Sequence, residues 1–318
     1  MVERLVRRRQ PPLPVRNGLN PSRVQLPKDT APITARDFLL HLIRTQTHKH
    51  PDDNDAAVDE RFLRGEVTDP QGRRYAPDEV LSPGANIWFY RTPGPERPVP
   101  YDIPIIFQDE NLLVADKPPF LATMPRGRHI TETATVRLRR ITGNQDLSPA
   151  HRLDRLTSGV LVFTTRPEVR GAYQDLFALR QAHKTYEAIA RFDPAIHAGT
   201  IWENRIEKIR GVVQATIIDG PPNALTKVVR VEPIPNTNYA RYILAPKTGR
   251  THQLRLHMNL AGVPILNDPL YPELLPLNLN EDFTQPLCLL ARELSFTDPF
   301  TSENRTFRST RIQALNSK

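Results

Sequence analysis

The sequence predicts an α+β fold: a mixed, largely antiparallel sheet with flanking helices over residues 105–318, preceded by a small α/β module over 19–92. Three observations lead there. Beyond residue 104, stretches with strand character outnumber helical ones, and several are joined by turns too short for a crossover, which favours antiparallel pairing. From Pro93 to Pro104 the segment PGPERPVPYDIP reads as a stiff linker. At 318 residues the chain can form one large domain and a smaller one.

Residues 1–18, with the Arg-rich start VERLVRRRQPP, read as a disordered basic tail, because Glu3 and the prolines suit a transit helix poorly. In ITARDFLLHLI, residues Ile33, Phe38, Leu39, Leu42 and Ile43 make an apolar stripe at helical spacing, with Thr34 as N-cap. The acidic stretch His48–Asp59 reads as an exposed loop. ERFLRGEVTDPQGR then gives a short helix, a glycine turn and a hairpin, and Ile87–Tyr90 a strand.

Past the linker, Ile105–Phe107 and Asn111–Ala115 flank the turn residues Gln108-Asp109-Glu110, as in a hairpin. Val160–Phe163 is an apolar run of buried-strand type, preceded by a small-residue corner, Thr157-Ser158-Gly159. Thr165-Arg166-Pro167-Glu168 has the form of a capping box with proline in the first turn. It opens a helix carrying Val169, Ala172, Tyr173, Leu176 and Leu179. HKTYEAIARF reads as a strand, as does ARYILAP, with Tyr242 and Leu244 on one face and Ile243 and Ala245 on the other. THQLRLHMNLA forms a helix that Gly262 ends as its C′ residue. CLLARELSFTDP supplies a last strand.

The charge balance, 43 Lys+Arg against 35 Asp+Glu for a net +8 and a pI near 9.8, favours a polyanionic partner. The single cysteine, Cys288, excludes a disulfide framework and a cysteine-based metal site. No apolar run reaches membrane-spanning length, so a cytoplasmic protein is expected. His48 and His50 lie in a polar stretch without a thiol, and the five-residue spacing of His252 and His257 does not put both on one helix face, so no metal is expected. No nucleotide-binding glycine motif and no serine-hydrolase elbow occurs, so no cofactor is expected.

The chemistry concentrates in His151–Phe163, HRLDRLTSGVLVF, where Asp154 stands between Arg152 and Arg155. An acid flanked by cations stays ionised, and a turn feeding a strand fixes its direction, although most Arg-Asp triplets are surface ion pairs. The whole string closely resembles the signature of the RluA-type pseudouridine synthases, which isomerise uridine in structured RNA. The resemblance implies that Asp154 is the catalytic residue, and that Arg152 enters the RNA to fill the space of a flipped-out uridine. The flip costs a few kcal/mol of lost stacking, which a planar guanidinium can offset. Arg152 can also be a structural partner of Asp154.

Three further stretches carry the resemblance. Lys184 and Tyr186 match the family's K-x-Y motif, which implies a tyrosine packed on the target base, acting as base for the C5 proton or as platform only. TGRTHQLRLHM, Thr248–Met258, matches its third motif, which implies that Arg255 salt-bridges Asp154. Arg250 and Thr251, at the helix start, are placed to meet an RNA phosphate. The C-terminal strand is similar to the family's L-x-A-x-x-L-x-F, and Leu290 is expected to pack against Tyr186. In DKPPFLATMP, Lys117 matches the lysine of the first motif. Two departures stand out: Asp116-Lys117-Pro118 for N-K-P, and Asn267-Asp268-Pro269-Leu270-Tyr271-Pro272 for G-D-P-x-Y-G. The module at 19–92 loosely resembles a degraded S4-type RNA-binding module.

The resulting expectation is a monomeric RNA pseudouridine synthase acting on ribosomal RNA or tRNA, with a lean to ribosomal. The alternative from another class is a non-catalytic RNA-binding or ribosome-assembly protein that keeps the fold. A hydrolase would need a second carboxylate to activate water, and none stands near the motif.

Overall fold

The computed structural model describes residues 11–276 and 281–313, and these divide into two compact units. The first takes residues up to Arg97 together with Pro125–Glu132 and Arg139–Gln145; the second takes Pro98–Met124, Thr133–Leu138 and the chain from Asp146. The change of unit at Arg97/Pro98 falls inside the expected linker. That stretch is not a free tether, since Val99 and Ile103 are buried in the core of the second unit. Nor is the region after 105 one uninterrupted domain, because two short segments belong with the first unit.

The first unit holds β1 (Ser22–Gln25), α1 (Ala35–Arg44), α2 (Asp55–Leu63) and β2 (Asn86–Phe89), with β1 and β2 antiparallel. The Thr34 hydroxyl accepts from the Asp37 N–H at 3.1 Å, the N-cap expected of it. Phe38, Leu39 and Ile43 meet Val58, Ile87 and Phe89 in the core. The acidic stretch before Asp59 is not simply an exposed loop. Asn54 caps α2, and buried Asp53 pairs with Arg61 at 2.8 Å. The expected basic tail is described only from residue 11, and that part is held in place. Residues 1–10 lie outside the described residues, but Leu13 is buried, the Tyr90 hydroxyl donates to the Pro14 carbonyl, and Arg16 lies 3.9 Å from the Tyr90 ring centre.

The second unit contains β3 (Ile105–Gln108), β4 (Leu112–Lys117), the part of α3 (Ala134–Thr142) up to Leu138, β5 (Ser148–Pro149), β6 (Ser158–Thr164), α4 (Arg170–Ala178), β7 (His183–Arg191), β8 (Ile201–Asn204), β9 (Ile206–Glu207), β10 (Thr216–Ile217), β11 (Ala224–Pro233), β12 (Tyr239–Pro246), α5 (Gln253–Leu260), β13 (Leu289–Thr297) and β14 (Asn304–Arg308). Its main sheet runs β3-β4-β6-β13-β7-β12-β11-β8, with β14 on β13 and β5 on β6. Every pairing is antiparallel except β6 with β13, so the sheet is mixed and largely antiparallel, as predicted. Strand alternation splits the core between two faces. Leu113, Ala115, Leu161 and Phe163 join the cluster that holds α5, while Leu112, Val114, Val160 and Val162 pack with Tyr173 and Leu176 of α4.

Two local expectations fail for physical reasons. The capping box does not close: the Thr165 hydroxyl bonds the Glu110 carbonyl instead, and the chain makes a 3-10 turn, Pro167–Val169, before α4. Leu179 is exposed, because α4 ends at Ala178. In the D-K-P departure, buried Asp116 accepts from the Ser309 and Thr310 hydroxyls and the Thr310 N–H, and lies 3.4 Å from Arg311. Aspartate at this position holds the segment after β14.

Candidate active site

The corner at β6 begins with a close approach of two strands. Gly159 has φ 110°, and a Cβ there would lie 2.3 Å from the Ala291 carbonyl oxygen, so only glycine lets β6 run beside β13. The segment ahead of it is pinned from below. The Thr123 hydroxyl donates to the Leu153 carbonyl and accepts from its N–H, at 2.7 and 3.1 Å. Lys117, fully buried, donates to the carbonyls of Pro118, Leu121 and Arg155. Burial first, then the charge of Arg155, pushes its pKa well below the ordinary lysine value. His151 accepts from the Val162 N–H and stacks on Phe177 at 4.3 Å; burial lowers its pKa to about 3, so it is neutral.

Asp154 thus rests on a fixed backbone beside a cavity of about 500 Å³. Arg152, Tyr186, Arg250, Thr251 and Arg255 line the same cavity. Of the seven residues singled out in the sequence, six therefore meet there. The seventh, Leu290, does not: it pairs across from Glu187, while Ala291 stands opposite Tyr186 and Leu289 lines the cavity. The strand was read correctly, but its parity was off by one.

The charge arrangement differs from the sequence expectation. Arg155 turns away from Asp154 to a bidentate pair with Glu281 and to the Phe120 carbonyl. Arg152 is exposed and makes no hydrogen bond or ion pair among the described residues. Arg255 does not salt-bridge Asp154. Its fork closes on buried Asp268, Nε to Oδ2 at 2.7 Å and Nη2 to Oδ1 at 2.5 Å, and its guanidinium carbon lies 5.4 Å from the Tyr271 ring centre. Asp268 wins because the turn after it also supplies the N–H groups of Leu270 and Tyr271 to Oδ1. Burial opposes the charge on Arg255, but Asp268 and then Asp154 hold its pKa above the ordinary value. The Asp154 carboxylate itself has no hydrogen-bond or ion-pair partner among the described residues.

The other wall is equally built. Burial, then the Asp154 charge, raises the Tyr186 pKa, so its ring carries a neutral phenol. Gln253 bridges β11 to the loop before α5: its amide N–H groups donate to the Leu225 carbonyl and Thr226 hydroxyl, and its oxygen accepts from the Thr248 hydroxyl and the Arg250 N–H. The Arg250 amide is therefore already taken and not free for an anion, while its side chain remains exposed and donates to the Asn223 carbonyl. His252 precedes α5 at φ 58° and lies 3.1 Å from the Tyr271 hydroxyl.

Asp268, Tyr271, His252 and Gln253 were not singled out as site residues from sequence. The D-P-x-Y spacing was the available signal for the first two, since a short loop with an acid and a tyrosine can support a guanidinium from both sides. Among the described residues no cluster of three or more His, Cys, Asp or Glu side chains is arranged to hold a metal ion, and no helix is long and apolar enough to cross a membrane.

Known proteins resemble this chain over the region that carries the site. A family profile described as RNA pseudouridylate synthase matches residues 111–260. The chain is 34% identical over 218 residues to the dual-specificity RNA pseudouridine synthase RluA of Haemophilus influenzae, covering 66% of this chain and 93% of that protein. It is 34% identical over 219 residues to tRNA pseudouridine synthase C of Vibrio cholerae, covering 64% and 89%. Among solved structures, human RNA pseudouridylate synthase domain containing 4 superposes with a TM-score of 0.50 at 26% identity, covering 66% of this chain and 88% of that one.

Proposed function

The chain belongs to the RluA-type family of RNA pseudouridylate synthases and is an isomerase acting on RNA; from that premise we propose that Asp154 is its catalytic residue and that the target uridine is turned out of its stack into the cavity. The observation that carries this reading is the unpartnered Asp154 carboxylate, lining the cavity together with Tyr186 and Arg255.

The isomerisation breaks C1′–N1 and forms C1′–C5, with one proton lost from C5 and one gained at N1, so atoms and electrons balance within the nucleotide. An anionic carboxylate can begin it by attack on C1′ or by removing a ribose proton, and a carboxylate without competing partners serves both routes. Arg255, anchored by Asp268, stabilises that anion across the cavity. Tyr186, as a neutral phenol, packs against the flipped base. Arg152, exposed and unpartnered, takes the place of the extruded base in the RNA. Leu289 replaces Leu290 as the packing residue. A cavity closed by RNA keeps water from the intermediate, which would otherwise release free uracil.

Ribosomal RNA and tRNA are the two substrate classes within this proposal, and the protein is taken to act as a cytoplasmic monomer. Tritium release from C5-labelled uridine in bulk RNA tests the chemistry. The wild-type protein is expected to exceed Asp154→Asn by about a hundredfold or more. Equal release from the two would leave an RNA-binding protein that merely keeps the fold. Pseudouridine mapping in cells lacking the protein would name the RNA.

A further inference from the structure

On the β7 side of the cavity, beside the C-terminal end of α4, two cations meet without an anion. Arg180 follows the C-cap residue Leu179 and adopts φ 61°, a left-handed conformation that turns the chain from α4 towards β7. Its side chain is exposed, lines the cavity and makes no hydrogen bond or ion pair among the described residues. Lys184 lines the same cavity, half-buried, and the one hydrogen bond of its ammonium among the described residues is a long 3.3 Å contact to the Thr248 carbonyl. Burial, then the positive charge of Arg180, lowers the Lys184 pKa. Among the described residues Asp154 is the sole carboxylate lining the cavity. Two cations facing one space repel each other, and an anion shared between them would turn that repulsion into charge-assisted hydrogen bonds.

We propose that Arg180 and Lys184 form a clamp for one phosphodiester group of the bound RNA, one nucleotide step from the flipped uridine. The position of the step rests on the function proposed above; the clamp itself rests on two cavity-lining cations that have no ion-pair partner among the described residues. Lys184 and Tyr186 are two apart on β7 and line the same cavity, so they stand roughly 6.7 Å apart along the strand. That span suits a base on Tyr186 and the neighbouring backbone phosphate on Lys184. The guanidinium fork of Arg180 takes two phosphate oxygens, and the Lys184 ammonium acts as a point charge beside them.

The test is RNA binding in the Asp154→Asn background, where turnover cannot interfere. A labelled RNA stem-loop with a uridine-rich loop is titrated across a salt series, with inorganic phosphate as competitor in a second arm. Adding Arg180→Ala and Lys184→Met should raise Kd roughly tenfold at low salt. It should also flatten the plot of log affinity against log salt by about 0.7–0.9, the loss of one neutralised phosphate. Weaker competition by inorganic phosphate than by RNA fragments is expected for a diester site; equal competition per phosphate would overturn the assignment to the RNA backbone. An unchanged salt slope would sink the clamp. If the double variant melts early, Arg180→Ala alone, at an exposed position, must still flatten the slope. Tritium release by the wild-type protein is measured in parallel. An inactive wild type with a flattened variant slope leaves the clamp standing and removes the isomerase reading, whereas active wild type with an unchanged slope removes only the clamp.

Discussion

Asp268 does at residue scale what the sequence assigned to Asp154: it holds the fork of Arg255. Removing one partner of a buried ion pair leaves the other charge stranded, at a cost of about 3–5 kcal/mol. Asp268→Asn should therefore lower the melting temperature and also reduce kcat with little change in KM, because Arg255 is no longer aimed across the cavity. Unchanged kcat in a destabilised variant would show that the pair serves the fold alone. His257 supplies a second residue-scale expectation. It is buried, and burial lowers its pKa from 6.5 to about 4. The unfolded chain takes up this proton first, so the stability contribution is complete above pH 6.5 and is lost as pH falls towards 4, by about 3 kcal/mol. Melting curves between those limits, with His257→Gln as the flatter comparison, check the sign. The sequence exposed Asp154, Tyr186 and Arg255 through their motifs, but not their pairing. Which carboxylate an arginine chooses depends on a turn thirteen residues further on, whose N–H groups converge on Asp268.

At the scale of elements, periodicity was legible wherever burial imposed it. Val160–Phe163 alternates between two packed faces, and β12 shows the predicted inward Tyr242 and Leu244. What escaped was set by partners distant in the chain. The start of α2 depends on the Asn54 cap, the Thr165 hydroxyl is drawn to Glu110, and Leu289 rather than Leu290 lines the cavity with Tyr186 because pairing with β7 fixes the parity. Gly159 is the element-scale residue whose change has the clearest effect. With its would-be Cβ 2.3 Å from a backbone oxygen, Gly159→Ala must part β6 from β13. A loss of about 1–3 kcal/mol is expected. A larger fall in kcat than Thr157→Ala produces is also expected, since the strand that anchors the segment carrying Asp154 shifts. Chemical denaturation and tritium release read the two effects separately.

At the scale of the whole molecule, the net charge of +8 and the cations around one cavity give RNA affinity a strong ionic component. Binding should weaken at least tenfold between roughly 50 and 200 mM salt, measured with Asp154→Asn protein; a flat response would mean that base contacts dominate. Fold class was readable from composition and spacing, whereas the assignment of Pro125–Glu132 and Arg139–Gln145 to the first unit was not, because it follows from contacts between stretches far apart in the chain. The seam where β6 meets β13 joins residues more than a hundred positions apart, Gly159 with Ala291 and the Ser158 hydroxyl with the Leu289 carbonyl. During synthesis the aspartate emerges long before the strand that seats it. A ribosome-bound chain halted ahead of Leu289 would carry the acid on a corner that β13 does not yet brace, so competence arrives with that later strand rather than with the signature itself.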